Sequence, residues 1–397
     1  VKPMLSFVVL AVLCCAAPLN VKAQSSAAGA DVSVNRQQAT ITEVPTPSTF
    51  SLPQGVDIAG DGSIWYAETS AGKIAQLKAN QTSAEFAIPN GGQPVTVKIA
   101  ANGIWFTDGS NHAIGLLNPT TGSVEEYAIP SGGSPLFLQL AQDGSKWFSE
   151  TTGVGRLTPN GVITEWMVAL EHPDDNIEQL SIDAAGNIWF VERNFDGAGA
   201  AGTNKVRRLN PNTSVISTYL VPTFGGNPAG VQANANGTVW VSEYYANAFA
   251  LLYPQLAPHS DEVVSPGSRD ASKSGVTVRS AGSGPATGVQ TAVAPANAVV
   301  RPRLTLGWIE YTIPTANALS EDMRIDRLGR VWFEGDSGLL GVLNPYIGSF
   351  TEYTIPSADS GYYDIALDQN KQELWFTEAG VFAPVTTKIG HLNVTLP

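Results

Sequence analysis

The sequence predicts an all-β chain: a seven-bladed β-propeller of four-stranded blades, with the ring closed by an N-terminal strand that completes the last blade. The first observation behind this is a spacing. Tryptophans preceded by a small turn and followed by β-prone residues stand at Trp65, Trp105, Trp147, Trp189, Trp240, Trp332 and Trp375, at intervals of 40, 42, 42, 51, 92 and 43 residues. A period near 42 with strong β character is that of a blade of about four strands. The second observation is a run of aromatic or branched residues with an acid, usually ending in Pro. It occurs at Ile41–Pro45, Ala84–Pro89, Val124–Pro130, Ile163–Trp166, Ile216–Pro222, Trp308–Pro314 and Phe350–Pro356. The two series are out of phase, because the first run precedes the first tryptophan. A ring whose last blade takes its outer strand from residues 40 to 45 accounts for the offset and leaves no free sheet edge at the joint.

Each blade reads in order. In the first, an inner strand covers Gly55 to Ala59, the tryptophan strand Ser63 to Glu68, a third strand Lys73 to Leu77 and an outer strand Ala84 to Ile88. Asp61-Gly62, Asp143-Gly144, Asn236-Gly237 and Leu328-Gly329 fall where the first hairpin must turn, and glycine supplies the positive φ needed there. Asn118-Pro119, Thr158-Pro159 and Asn210-Pro211 end third strands, since Pro stops further pairing. The tryptophans therefore read as blade-packing residues.

Residues 1 to 23 have the layout of a secretory signal peptide, with Lys2, an apolar run from Met4 to Pro18, and a small residue, Ala23, before the expected cut. Residues 24 to 39 read as a linker and 40 to 397 as the propeller. The expected location is secreted or periplasmic. Both cysteines, Cys14 and Cys15, fall in the leader, so the mature chain would have no disulfide or thiol chemistry. The chain has 22 Lys+Arg against 35 Asp+Glu. Losing Lys2 and Lys22 leaves 20 basic groups, and an acidic excess of this size excludes a nucleic-acid partner or an anionic membrane surface. No other apolar stretch is long enough to span a membrane. The protein is expected as a monomer.

Two intervals are long. Residues from about 255 to 306, rich in Ser, Gly, Ala, Pro and Val, form an insertion between the third and fourth strands of blade five, expected as a mobile excursion. Asn194 to Thr203 enlarges a loop on the face carrying the links between blades, where propeller ligands usually bind, and is expected as a lid.

The pattern written here as Asn102-Gly-Ile-Trp-Phe-Thr-Asp108, Ile114-Gly-Leu-Leu-Asn-Pro119 and Glu126-Tyr-Ala-Ile-Pro130 resembles the virginiamycin B lyase family, the streptogramin B-inactivating lyases. The resemblance runs from 40 to 395 apart from the insertion. It implies a seven-bladed propeller that opens a cyclic depsipeptide ester by elimination, using Mg2+ and a histidine base. The family's two histidines begin the inner strands of the last two blades, about eleven residues before the tryptophan. The matching positions here are Glu321 and Tyr363, the candidate catalytic pair; the other blades have Gln54, Val95, Leu136, Glu178 and Ala229.

Two readings follow. In the first, the chain binds a small-molecule or peptide-like ligand on the blade-link face, with Asp322, Tyr362, His172 and Glu178 as ligand-binding candidates. In the second, it is a metal-assisted lyase or esterase in which a carboxylate such as Glu321 replaces the histidine base, which requires an upward pKa shift from a nonpolar surround. Three residues after each tryptophan comes an acid in six blades: Glu68, Asp108, Glu150, Glu192, Glu243 and Glu378. Repetition favours a structural role, such as accepting hydrogen bonds from a neighbouring loop. A carboxylate ring near the channel mouth would also attract cations, and Glu378 and Glu68, in adjoining blades, are candidate ligands for Mg2+ or Ca2+.

Overall fold

The computed structural model describes residues 40–170, 175–194, 204–267, 297–300, 302–336, 338–357, 360–371, 373–380 and 387–393, with the backbone alone for 297–299, 360–363 and 380. The expected leader and linker, the loop from 195 to 203, His172 and the middle of the insertion lie outside the described residues.

Seven antiparallel sheets form the blades. In blade one Pro53–Ile58 pairs with Ile64–Glu68, which pairs with Lys73–Leu77 and then Ser83–Ala87. The last blade is Ser360–Asp368, Glu373–Gly380 and Thr387–Asn393, and its fourth strand is Thr40–Pro45, in register from Thr40↔Asn393 to Pro45↔Lys388. The ring therefore closes by pairing the two ends of the propeller, as the offset between the repeats requires.

The tryptophans fill the joints between blades. Trp105 packs with Leu138 and Phe148 of the next blade, and Trp65 with Val97 and Phe106. All seven are between 1% and 9% exposed. The aromatic residue of the second repeat supports them from the outer strand of the same blade. Trp65 lies on Phe86, Trp105 on Tyr127, Trp147 on Trp166, Trp189 on Tyr219, Trp240 on Tyr311 and Trp332 on Tyr353, with centroids 5.3 to 6.4 Å apart. In the last blade it is His391 of the third strand, paired directly opposite Trp375, that stacks on the tryptophan. Truncating one such tryptophan to alanine costs about 3–5 kcal/mol. Third-strand glycines make room for the second-strand phenylalanines: a Cβ on Gly115 would fall 2.1 Å from the Phe106 ring.

The insertion is more ordered at its ends than its composition suggests. His259–Val263 adds a fifth strand to blade four, Arg303–Thr305 to blade five and Asn297–Val299 to blade six. Pro266 bridges to Trp166 of blade three. Outer strands offer unpaired N–H and C=O groups, and a segment can pair there while leaving its side chains in water. Arg303, Leu304 and Thr305 are all exposed. Blade four also gains a charge from the insertion. Arg207 of its third strand, 4% exposed, binds Glu192 at 2.5 Å and Glu262 of the added strand at 3.0 Å.

Candidate ligand mouth and its charged lining

The site begins with a β-bulge. The inner strands slip register between Pro53 and Val56, Pro94 and Val97, Pro135 and Leu138, Ile177 and Leu180, Pro228 and Val231, and Tyr362 and Ile365. Each slip sets two residues opposite one, and bulges of this kind re-aim side chains at functional sites. The first bulge residues are Gln54, Val95, Leu136, Glu178, Ala229 and Tyr363. In blade six Glu321-Asp322 stands at the same place, just before Met323–Ile325. The positions aligned by counting back from each tryptophan are thus structurally equivalent.

Three of these blades meet through long polar side chains. Arg193, at the end of the second strand of blade four, reaches past blade five to Glu321 of blade six, Nη2 to Oε1 2.6 Å. Its guanidinium lies 4.5 Å from the ring centre of Tyr244 in blade five. Tyr244 donates its hydroxyl to Asp336 Oδ2 of blade six at 2.5 Å. Glu178 is buried beside them, and burial pushes its pKa up to about 7, with Glu321 adding to the rise and Arg193 opposing it. A half-buried ion pair, a cation–π contact and a charge-assisted hydrogen bond hold this corner together.

A second cluster joins blades six and seven. Arg324 donates to Asp322 Oδ1 and to Asp364 Oδ1, each at 2.5 Å. Asp322 also takes the Gln179 amide of blade four and the N–H of Ile365, while Asp364 takes the N–H of Val56 in blade one. Burial works against the Asp322 charge, yet Arg324 and these bonds together hold its pKa below the usual carboxylate value. Asp364 is pushed up to about 7 by burial, with Arg324 pulling the other way. Glu334, 1% exposed, is raised well above the ordinary value by burial, with Asp322, Asp364, Glu321 and Asp336 adding to it.

The acids that follow the tryptophans do not ring an open mouth. They are fully buried, and some of them accept hydrogen bonds from the links beside them. Asp108 accepts the N–H groups of Gln93 and Asn111, and Ser131 donates its hydroxyl to Glu150 at 3.0 Å. The acid of the second repeat joins in: Ser131 N–H reaches Glu165, Thr223 donates to Glu310, and Ser357 to Glu43. Two carboxyls therefore share one buried space in blades three and five, and burial with the neighbouring acid pushes Glu68, Glu150 and Glu243 up to about 8. Glu68 and Glu378, the expected cation ligands, are both 0% exposed.

Of the other candidates, Glu321 and Glu178 are brought together beside Arg193, Asp322 belongs to the Arg324 cluster, and Tyr362 and Tyr363 stand at the bulge of blade seven by their backbone. Sequence reading missed Arg193, Tyr244 and Arg324. The first two had a signal: the residue four after the tryptophan is Thr69, Gly109, Thr151 and Ala379 in four blades, but Arg193, Tyr244 and Asp336 in the three consecutive blades four to six.

Mg2+, which the resemblance implies, does not fit these donors. Among the described residues no three His, Cys, Asp or Glu side chains converge as a metal site. Asp322 and Asp364 already share the Arg324 guanidinium between them.

A seven-bladed propeller with a bulge in its inner strands and a charged mouth where blades four to seven meet defines the class of protein. The virginiamycin B lyase family model matches residues 30–254, more than half of the chain, and the chain belongs to that family. Virginiamycin B lyase of Nocardia farcinica (strain IFM 10152) is 30% identical over 196 residues, 49% of this chain and 63% of the relative, so the match spans less than two thirds of that protein. A catalytically inactive histidine-to-alanine variant of virginiamycin B lyase from Staphylococcus aureus with quinupristin superposes at a TM-score of 0.67 and 19% identity, covering 90% of this chain and 99% of that one. A streptogramin B lyase structure gives 0.66 and 20%, covering 90% and 98%. At these identities the structural likeness shows the fold.

Proposed function

We propose that the chain holds a peptide-like small molecule at the blade-link mouth without opening it. The observation that carries this reading is the Arg193–Glu321 pair. Glu321 stands where the family resemblance places a histidine base, and its Oε1 is engaged in an ion pair with the Arg193 guanidinium. Arg193 is buried under the Tyr244 ring and holds Glu321 in place, while the partly exposed Glu321 and the exposed Asp336 offer carboxylate acceptors suited to amide N–H groups. Titration calorimetry with quinupristin tests the reading. The wild type is expected to bind, and Arg193→Ala to bind at least tenfold more weakly. The absence of binding by the wild type would overturn it.

A second reading, a lyase or esterase with a carboxylate base, is favoured by Glu178, a buried acid with a pKa of about 7. A group of that pKa is poised for proton transfer near neutrality. Loss of ester opening in Glu178→Gln, with binding retained, would select it. The leader read at residues 1–23 supports export, and N-terminal sequencing of the mature protein tests it, with Gln24 as the expected first residue.

A further inference from the structure

In four blades the residue two after the tryptophan is a hydroxyl, and in three of them it latches its blade to the next. Thr107 Oγ1 accepts the N–H of Thr96 at 3.0 Å and donates to the Leu136 carbonyl of the next blade at 2.9 Å. Ser242 accepts from Gly230 at 2.7 Å and donates to the Glu321 carbonyl at 3.2 Å. Thr377 accepts from Asp364 at 3.3 Å and donates to the Gln54 carbonyl at 2.8 Å. Ser149 accepts from Phe137 at 3.1 Å. For Thr107, Ser242 and Thr377 the acceptor carbonyl belongs to the first bulge residue of the following blade.

Blade six has Glu334 at this position, two residues after Trp332 on the same face of the strand, which is packed against blade seven. The equivalent acceptor is the carbonyl of Tyr363. Both carboxyl oxygens of Glu334 are buried and receive no hydrogen bond from the described residues. An ionised carboxylate has acceptors only and would repel a carbonyl; a protonated one has an O–H to donate. An unsatisfied buried charge at a blade joint would be strongly destabilising.

We propose that Glu334 is a neutral acid whose O–H latches blade six to blade seven at the Tyr363 carbonyl, so that this joint of the ring is closed by a proton. The inference stands whether or not the mouth holds a ligand. The charged groups facing Glu334 are Glu321 and Asp322 from the inner side of its own blade, Asp336 at its strand end and Asp364 from blade seven, with Arg324 spent on Asp322 and Asp364. All four carboxyls oppose a further negative charge. Because the folded pKa lies above the unfolded one, the stabilisation is complete below about pH 4.5 and is lost as pH rises toward the folded value.

Two variants test this. Glu334→Gln keeps a donor and cannot ionise; Glu334→Thr supplies the hydroxyl found at this position in four other blades. Denaturant unfolding from pH 5 to 8 is expected to show the wild-type unfolding constant rising up to about tenfold per pH unit relative to either variant. Infrared spectra at pH 7 are expected to show one protonated-carboxyl band fewer in Glu334→Gln. Parallel pH profiles, an unchanged infrared spectrum, or failure of both donor-bearing variants to fold would overturn the proposal.

Discussion

Replacing Glu243 by glutamine should stabilise this protein, and by more as the pH rises. Glu243 is 1% exposed and shares its space with Glu310 of the outer strand, whose Oε1 takes the Thr223 hydroxyl at 2.5 Å. Burial first, and Glu310 second, push Glu243 up to about 8 from 4.5. The folded state therefore keeps a proton that the unfolded chain releases, and stability falls as pH rises between those values. Each pH unit in that window costs about 1.4 kcal/mol, so the penalty at pH 7 is about 3 kcal/mol. Glutamine has no proton to lose, and its amide can donate to Glu310 as the protonated acid does. Urea unfolding of both proteins from pH 5 to 8 should give curves that nearly meet at pH 5 and diverge steadily above it. Curves that stay parallel across this range would refute the shared-proton account of the paired acids.

Arg207→Met leaves Glu192 buried without its guanidinium and should cost about 3–5 kcal/mol, seen as a lower thermal midpoint. Gly115→Ala drives a methyl into the Phe106 ring and should cost about 1–3 kcal/mol by denaturant unfolding. EDTA should leave the thermal midpoint unchanged, because the described carboxylates fit a guanidinium rather than a metal; a midpoint that rises with added Mg2+ would contradict that.

The blades were legible because a tryptophan every 42 or so residues and an out-of-phase outer strand are local patterns, and both follow from packing within and between neighbouring blades. The same counting located Glu321 and Tyr363 at the bulge, since the first hairpin has nearly constant length. The partner of Glu321 was not legible: Arg193 lies 128 residues away and two blades round the ring. The acids after the tryptophans were seen as a series, but their height was misjudged, because the path of the links that cover them follows no period. The insertion looked structureless because its composition buries little, whereas edge pairing at His259–Val263 and Arg303–Thr305 draws on backbone groups that any sequence carries.

The claim that the mouth holds its ligand intact is tested most directly by the fate of quinupristin incubated with the purified protein, with and without Mg2+. Elimination leaves the mass unchanged, so the product must be followed by chromatography and by the olefinic signals of its NMR spectrum. The account predicts an intact ring in both samples. A linear, olefin-bearing product formed by the wild type would contradict it.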